Sequence, residues 1–430
     1  MAFYEGRTPQ VHICDPELVK QILIRDYDYF SNRKQFNLGN PIANEILDFQ
    51  PEVKWKYMRA VMTPLFAPSR IRHMAEILQS ISEEHVDNLK SNFTPGSGPM
   101  KFEFRSYLGS LLTDVIGRCY LNITFNDRLD PNSHFLQLLK DLIREYSDYD
   151  IKHELIRSFP FLTWLHPIMP SKALSQFKVT LLNIIKARNA SSPNKLNMGQ
   201  GLHDLLSKLD NPDLKSLGMN ENTGVALALE AFLATFDSVG NPLCFLAYFL
   251  AKNPPVQDKL LKEVDEIFER SSSENIFHDM RYLQACIQEM FRLIPPFFRL
   301  ERECTKDWRN EEKGLTIKKG TVVIIPVWPL NRHPDHYENP EDFIPERFLN
   351  QDNSKNSTYA FATFGHGPKN CVGQKWSYEM SAIIMATFLK QFRFQLSNQG
   401  RADESHIKWK PGSSFILKFE PIVLEIVSRT

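Results

Sequence analysis

Cys371 is the residue best placed for chemistry. It stands in a tight, glycine-punctuated loop, Phe364-Gly-His-Gly-Pro-Lys-Asn-Cys371-Val-Gly373, immediately before a helical pattern. A thiolate there could hold a metal ion. Gly365, Gly367 and Pro368 permit a sharp turn with positive φ, and Gly373 lets the backbone approach something large and flat. The run 374–391 reads as an amphipathic helix whose free N-terminal N–H groups point back at the sulfur, which favours thiolate over thiol.

Three other constellations carry chemical content. Trp55 and Arg59 lie one helical turn apart and can both donate to one anion, although a buried indole with a snorkelling arginine fits the same spacing. Glu289 and Arg292, three residues apart among apolar neighbours, read either as an ordinary surface pair or as a buried, geometrically demanding one. Asp237 and Ser238 interrupt a long apolar helix. An acid there is costly unless paired, so the two form a local structural pair or handle protons. Pro242 cannot donate to the Ser238 carbonyl, so the helix is expected to open or kink there and leave room for water or a small ligand.

At 430 residues the chain exceeds the ceiling of about 250–300 residues for one core, so length alone suggests two domains. Its 42% hydrophobic content and 31 Phe supply a large core. Lys plus Arg and Asp plus Glu both number 51, which gives no global attraction to nucleic acid. Cys14, Cys119, Cys244, Cys286, Cys304 and Cys371 show neither a CxxC pair nor regular spacing, so neither disulfides nor zinc are expected, and the five outside the loop fill space. Residues 1–30 carry no apolar run of signal or anchor length. Residues 224–251 are almost wholly apolar but contain Glu230, Asp237 and Pro242. Each acid costs ~2.5–3.5 kcal/mol near a membrane-helix centre, so a buried central helix is expected.

In chain order, the patterns predict a strand over 7–14, a helix capped by Asp15 and Pro16, and an irregular loop over 31–49. Helices over 71–89, 106–121 and 134–147 follow. A proline-broken apolar cluster, 159–170, is either a core edge or a surface touching lipid or apolar ligand. A polar loop over 190–211 precedes the long apolar helix and further helices over 253–270 and 281–293. Strands are predicted over 297–303, 315–318 and 321–327, with Lys319-Gly320 as a turn, and a final hairpin over 415–426. A proline-bounded loop ends at Arg347.

Taken together, these residues resemble a cytochrome P-450, a heme-thiolate monooxygenase, over essentially the whole chain. Phe364, Gly367, Cys371 and Gly373 match the heme-binding signature, Glu289 and Arg292 the E-x-x-R pair, Arg347 its third member, and Trp55 and Arg59 the W-x-x-x-R motif. The segment from Arg299 to Asp307 resembles the microsomal group of vertebrate family 3, and insect families 6 and 9 are expected to look as close. The resemblance implies a mainly α fold with a small β portion, a long central helix over heme b and minor antiparallel sheets. It implies one catalytic domain, 1–430, without the usual N-terminal anchor. Cys371 becomes the axial ligand, and Trp55, Arg59, Arg302 and Lys369 become contacts for the heme and its propionates. Asp237 and Ser238 become a proton relay across the iron.

The implied reaction inserts one atom of O2 into an apolar small molecule. NADPH-cytochrome P-450 reductase, with cytochrome b5 as a further donor, supplies electrons and docks on Lys54, Lys56, Lys369 and Lys375. The implied location is the cytosolic face of the endoplasmic reticulum membrane. Substrate choice is expected from residues 36–49, 159–169 and 231–239 with Phe297 and Phe298. A reductase-independent isomerase or dehydratase and a silent heme or lipid binder are the competing readings. Four departures from the family pattern stand out: Lys369 for arginine, Thr235 for glycine, Ser238 for threonine, and the missing anchor.

Overall fold

A computed structural model describes residues 2–35, 37–93, 98–121, 171–189, 212–270, 276–349, 359–397, 407–410 and 419–429, with isolated positions between 138 and 162. The helix expected over 134–147, most of the 159–170 cluster and the 190–211 loop lie outside them. Helices dominate. The longest, Glu221–Lys252, starts from a capping box in which Asn220 accepts from the Asn222 N–H and Thr223 accepts from the Asn220 N–H. It is long and apolar enough to cross a bilayer, but most of its apolar stretch is covered by protein, as expected of a core helix. Against expectation it runs through Pro242 as continuous α-helix. The buried residues around Pro242 pack against the helix Phe104–Val115 and the strand Phe392–Leu396, and that packing holds the helix without the missing hydrogen bond.

The helix after the cysteine loop spans Gln374–Gln391. It is not two-faced as expected, because every residue from Met380 to Leu389 is buried. It lies between the helices Pro68–Ser91 and Arg281–Leu293. Among the described residues the strands form three sheets. Strands β1 (Ala2–Glu5), β2 (Thr8–His12), β4 (Leu300–Glu303) and β7 (Val322–Ile325) form one sheet in the order β1-β2-β7-β4. Its β2–β7 pair is parallel, so this sheet is mixed rather than antiparallel. Strands β3 (Met100–Glu103), β8 (Phe392–Leu396) and β9 (Val423–Ser428) form a second sheet.

Lys319-Gly320 does turn the chain, with Gly320 at φ 83°. The strands it joins do not pair, however. All of β7 is buried and joins the inner sheet, whereas β6 (Leu315–Ile317) pairs with β5 (Trp308–Asn310). Of the last predicted hairpin, β9 and a bridge from Phe419 to Trp409 lie in the described residues.

The cysteine loop is braced from below by Glu289, Arg292 and Arg347. Arg292 grips Glu289 with two hydrogen bonds of 2.7 and 2.8 Å, both side chains fully buried. The remaining guanidinium N–H groups donate to the carbonyls of Asn331, Pro340 and Asp342. Arg347 reaches Glu289 at 3.0 Å and the carbonyls of Glu338 and Asn339. Asn331, which carried no signal in the sequence, donates to the Arg292 carbonyl and to Thr363, and accepts from the Ala362 N–H. The brace therefore ties the helix 281–293 to the chain entering the loop. Replacing one partner of a buried ion pair leaves the others desolvated and unmatched. Glu289→Gln is expected to lower unfolding free energy in urea by roughly 3–5 kcal/mol; a loss under about 1 kcal/mol would show that the brace is dispensable.

Candidate active site

The loop reverses twice through glycines in the left-handed region, Gly365 at φ 67° and Gly367 at φ 72°. A Cβ at Gly367 would sit 2.0 Å from the Leu23 carbonyl oxygen, so only glycine fits. The Cys371 N–H donates to the Phe364 carbonyl at 2.8 Å, which closes the loop. The Gly373 N–H donates to the sulfur and Arg59 lies nearby, but burial outweighs both and pushes the thiol's pKa up. The thiolate expected from the helix start alone therefore needs a stronger positive partner, such as a metal cation. Cys371 lies deep in the fold and yet keeps exposed surface, so it lines an internal cavity. On the central helix Ala234 is exposed between buried neighbours Phe232 and Phe236, with Glu230 and Ser238 half-buried one turn to either side. Arg59 interacts electrostatically with both Cys371 and Glu230, so the two residues flank the same guanidinium.

Positive charge collects beside that cavity. Arg59 donates to the backbone and side-chain oxygens of Asn370 at 2.8 and 3.2 Å. Lys369 lies 4.0 Å over the Trp55 ring and 3.5 Å from Glu52. Only 3% exposed, it has its pKa lowered to about 7, first by burial and then by Arg33. Arg302 is 1% exposed, donates to the Glu301 carbonyl, and has a buried Nε that finds no acceptor among the described residues. Burial and Arg33 lower its pKa to about 9. Arg33 pairs with Asp48 and donates to the Lys369 carbonyl. The structure thus brings Trp55, Arg59, Arg302 and Lys369 into one cluster and adds Arg33, Asp48 and Glu52, which the sequence left in an irregular loop or unremarked.

Lys369 cannot serve as a surface lysine. Lys54 is also turned inward, 2.6 Å from Glu45, so only Lys56 and Lys375 of the four expected lysines are exposed. Asp237 pairs with Arg105 at 2.9 Å, and Arg105 also donates to Asn241 and lies over Phe236. The Ser238 hydroxyl donates back to the Ala234 carbonyl. Thr235 is buried, shares a hydrogen bond of 2.7 Å with the Tyr120 hydroxyl and donates to the Ala231 carbonyl; Trp376 donates to Tyr120 at 2.9 Å. The extra bulk at 235 is accommodated by this buried chain of hydrogen bonds. Phe297 is exposed and Phe298 half-buried.

The signature described as Cytochrome P450 matches residues 1–425. The chain belongs to the cytochrome P450 family. It is 27% identical over 99% of its length to Cytochrome P450 3A40 of Oryzias latipes, covering 84% of that protein. It is 28% identical over 99% of its length to lithocholate 6-beta-hydroxylase of Mesocricetus auratus and to Cytochrome P450 3A25 of Mus musculus, covering 84% of each. Cytochrome P450 proteins bind heme b and are oxidoreductases that incorporate molecular oxygen. The residues present suit that group: a cavity-lining thiol, and a cation cluster in which Arg302 is left short of an acceptor. Because a Cβ at position 367 has no space, Gly367→Ala is expected to lower the heme-to-protein ratio of the purified P450 at least tenfold. Circular dichroism should still show a helical chain. Full heme loading would contradict the steric account.

Proposed function

We propose that this P450 is an external monooxygenase, one catalytic domain over 1–430, that inserts one atom of O2 into a largely apolar small molecule with electrons from NADPH through a reductase. The observation that carries this reading is Cys371 lining the cavity faced by Ala234, beside buried cations suited to two propionates. Cys371 would hold the heme iron through its thiolate, with the Gly373 N–H as the sulfur's hydrogen-bond donor. Trp55, Arg33, Arg59, Arg302 and Lys369 hold the propionates, and Phe364, Gly367 and Gly373 shape the loop against the ring. Heme, when bound, supplies the iron at which O2 is activated. Glu289, Arg292 and Arg347 keep the loop in register.

Asp237 and Ser238 move protons toward the cavity from the central helix. Both are tied in the resting arrangement, Asp237 to Arg105 and Ser238 to the Ala234 carbonyl. Delivery therefore begins with Asp237 leaving Arg105. Lys56 and Lys375, both exposed, are the lysines left to meet an acidic flavoprotein, with cytochrome b5 as a second donor. The reaction named for the Mesocricetus auratus relative supports hydroxylation as the chemistry. The endoplasmic reticulum membrane, cytosolic side, is the location proposed from the resemblance.

The reduced protein under carbon monoxide is expected to show the strongly red-shifted Soret band of a thiolate-ligated heme, and Cys371→Ala to abolish it; an imidazole-type carbonyl spectrum would sink the assignment. Asp237→Asn is expected to slow product formation by ~10²-fold while raising peroxide release per NADPH. Unchanged coupling would remove Asp237 from the proton path.

A further inference from the structure

Glu230 is a carboxylate where an apolar pocket needs none. It sits on the cavity-facing side of the central helix, one turn before the exposed Ala234 and two before Ser238, a rise of about 6 and 12 Å. One of its oxygens accepts the Leu47 N–H at 3.0 Å, holding the 3-10 turn Leu47–Phe49 against the helix. Among the described residues its other oxygen receives no hydrogen bond, and it is not one of the sealed buried polar atoms, so it opens onto the cavity. Arg33 and Arg59 face Glu230, but Arg33 is committed to Asp48 and Arg59 to Asn370.

Arg33, Arg59, Arg302 and Lys369 face Asp48, Glu52 and Glu230, while Glu45 is matched by Lys54 and Glu52 also by Lys56. Of these carboxylates, Glu230 is the one that faces the cavity. Without a cation its burial beside Asp48 pushes its pKa up to about 8.

We propose that Glu230 is a specificity residue that selects substrates carrying a cationic nitrogen on an otherwise apolar body, the nitrogen seated against its free oxygen while the apolar part lies along Ala234. This deepens the monooxygenase reading and rests on it. An anionic substrate would meet the Glu230 carboxylate and be disfavoured.

The test uses calorimetric titration of the heme-loaded protein with an aryl-alkyl trimethylammonium and with its neutral tert-butyl carbon isostere, a pair that differs only in charge. Glu230→Gln keeps an oxygen for the Leu47 N–H and removes the charge, whereas Glu230→Asp keeps the charge. The ratio of cation affinity to isostere affinity is expected to fall at least tenfold in the Gln variant and to stay within about threefold of wild type in the Asp variant. An unchanged ratio in the Gln variant, or a wild-type protein that does not bind the cation, overturns the proposal; in that case Glu230 only anchors the 47–49 turn. The carbon monoxide spectrum of the same wild-type sample separates the two levels. A red-shifted band with an unchanged ratio overturns this inference alone, and absence of the band overturns the reading beneath it.

Discussion

Arg302 and Lys369 are held away from water with too little negative charge around them. Arg302 offers its Nε to no acceptor among the described residues, and Lys369 has an ion pair at 3.5 Å and the face of Trp55. Desolvated cations of this kind destabilise a fold unless a partner arrives, and their lowered pKa values express that strain electrostatically. Arg33 adds to the problem for both and relieves it for neither. A dianion beside the cysteine loop would satisfy the cluster, and heme would bring two carboxylates together with an iron for the thiol. The cation cluster and Cys371 are thus two halves of one binding demand.

Everything that positions the loop serves that demand. Glu289, fully buried, pairs with two arginines, and those arginines spend their remaining donors on five backbone carbonyls between 331 and 342. Asn331 carries the connection to Ala362 and Thr363, and the Gly365–Gly367 reversals deliver Cys371. On the other side of the cavity, the central helix stays α-helical through Pro242, and its neighbours hold its polar side chains. Arg105 takes Asp237, Tyr120 takes Thr235, and the turn at Leu47 takes Glu230.

Residues spaced locally were legible in the sequence. The helix 281–293, the helix 374–391, the Asp15 cap and the E-x-x-R pair follow from periodicity and short spacing, which are properties of a single segment. Arg33 was not legible, because a lone arginine in an aperiodic loop has no pattern to announce it. The role of Lys369 was half legible: its place in the loop suggested the heme, but its burial under Trp55 and Glu52, which rules it out of a surface patch, depends on residues some 315 positions away. The opening expected at Pro242 did not form for a related reason: local hydrogen bonding argued for it, and packing from distant segments overrode it. The pairing of β6 was likewise decided by burial of β7 rather than by the turn between them.

The central claim is that the buried cations bind a dianion carried by a planar iron ligand, and the most direct measurement is the thermal stability of the heme-free protein with hemin and with hemin dimethyl ester. Both keep the iron for Cys371, and only hemin keeps the two charges. A ligand that binds only the folded chain raises its stability by about 2.7 kcal/mol at a hundredfold excess over its dissociation constant. Hemin is expected to raise the melting temperature by many degrees and its ester by far less, with at least a tenfold difference in dissociation constant. Equal stabilisation by the two would contradict the account, because it would mean that Arg33, Arg59, Arg302 and Lys369 contribute nothing to holding the group.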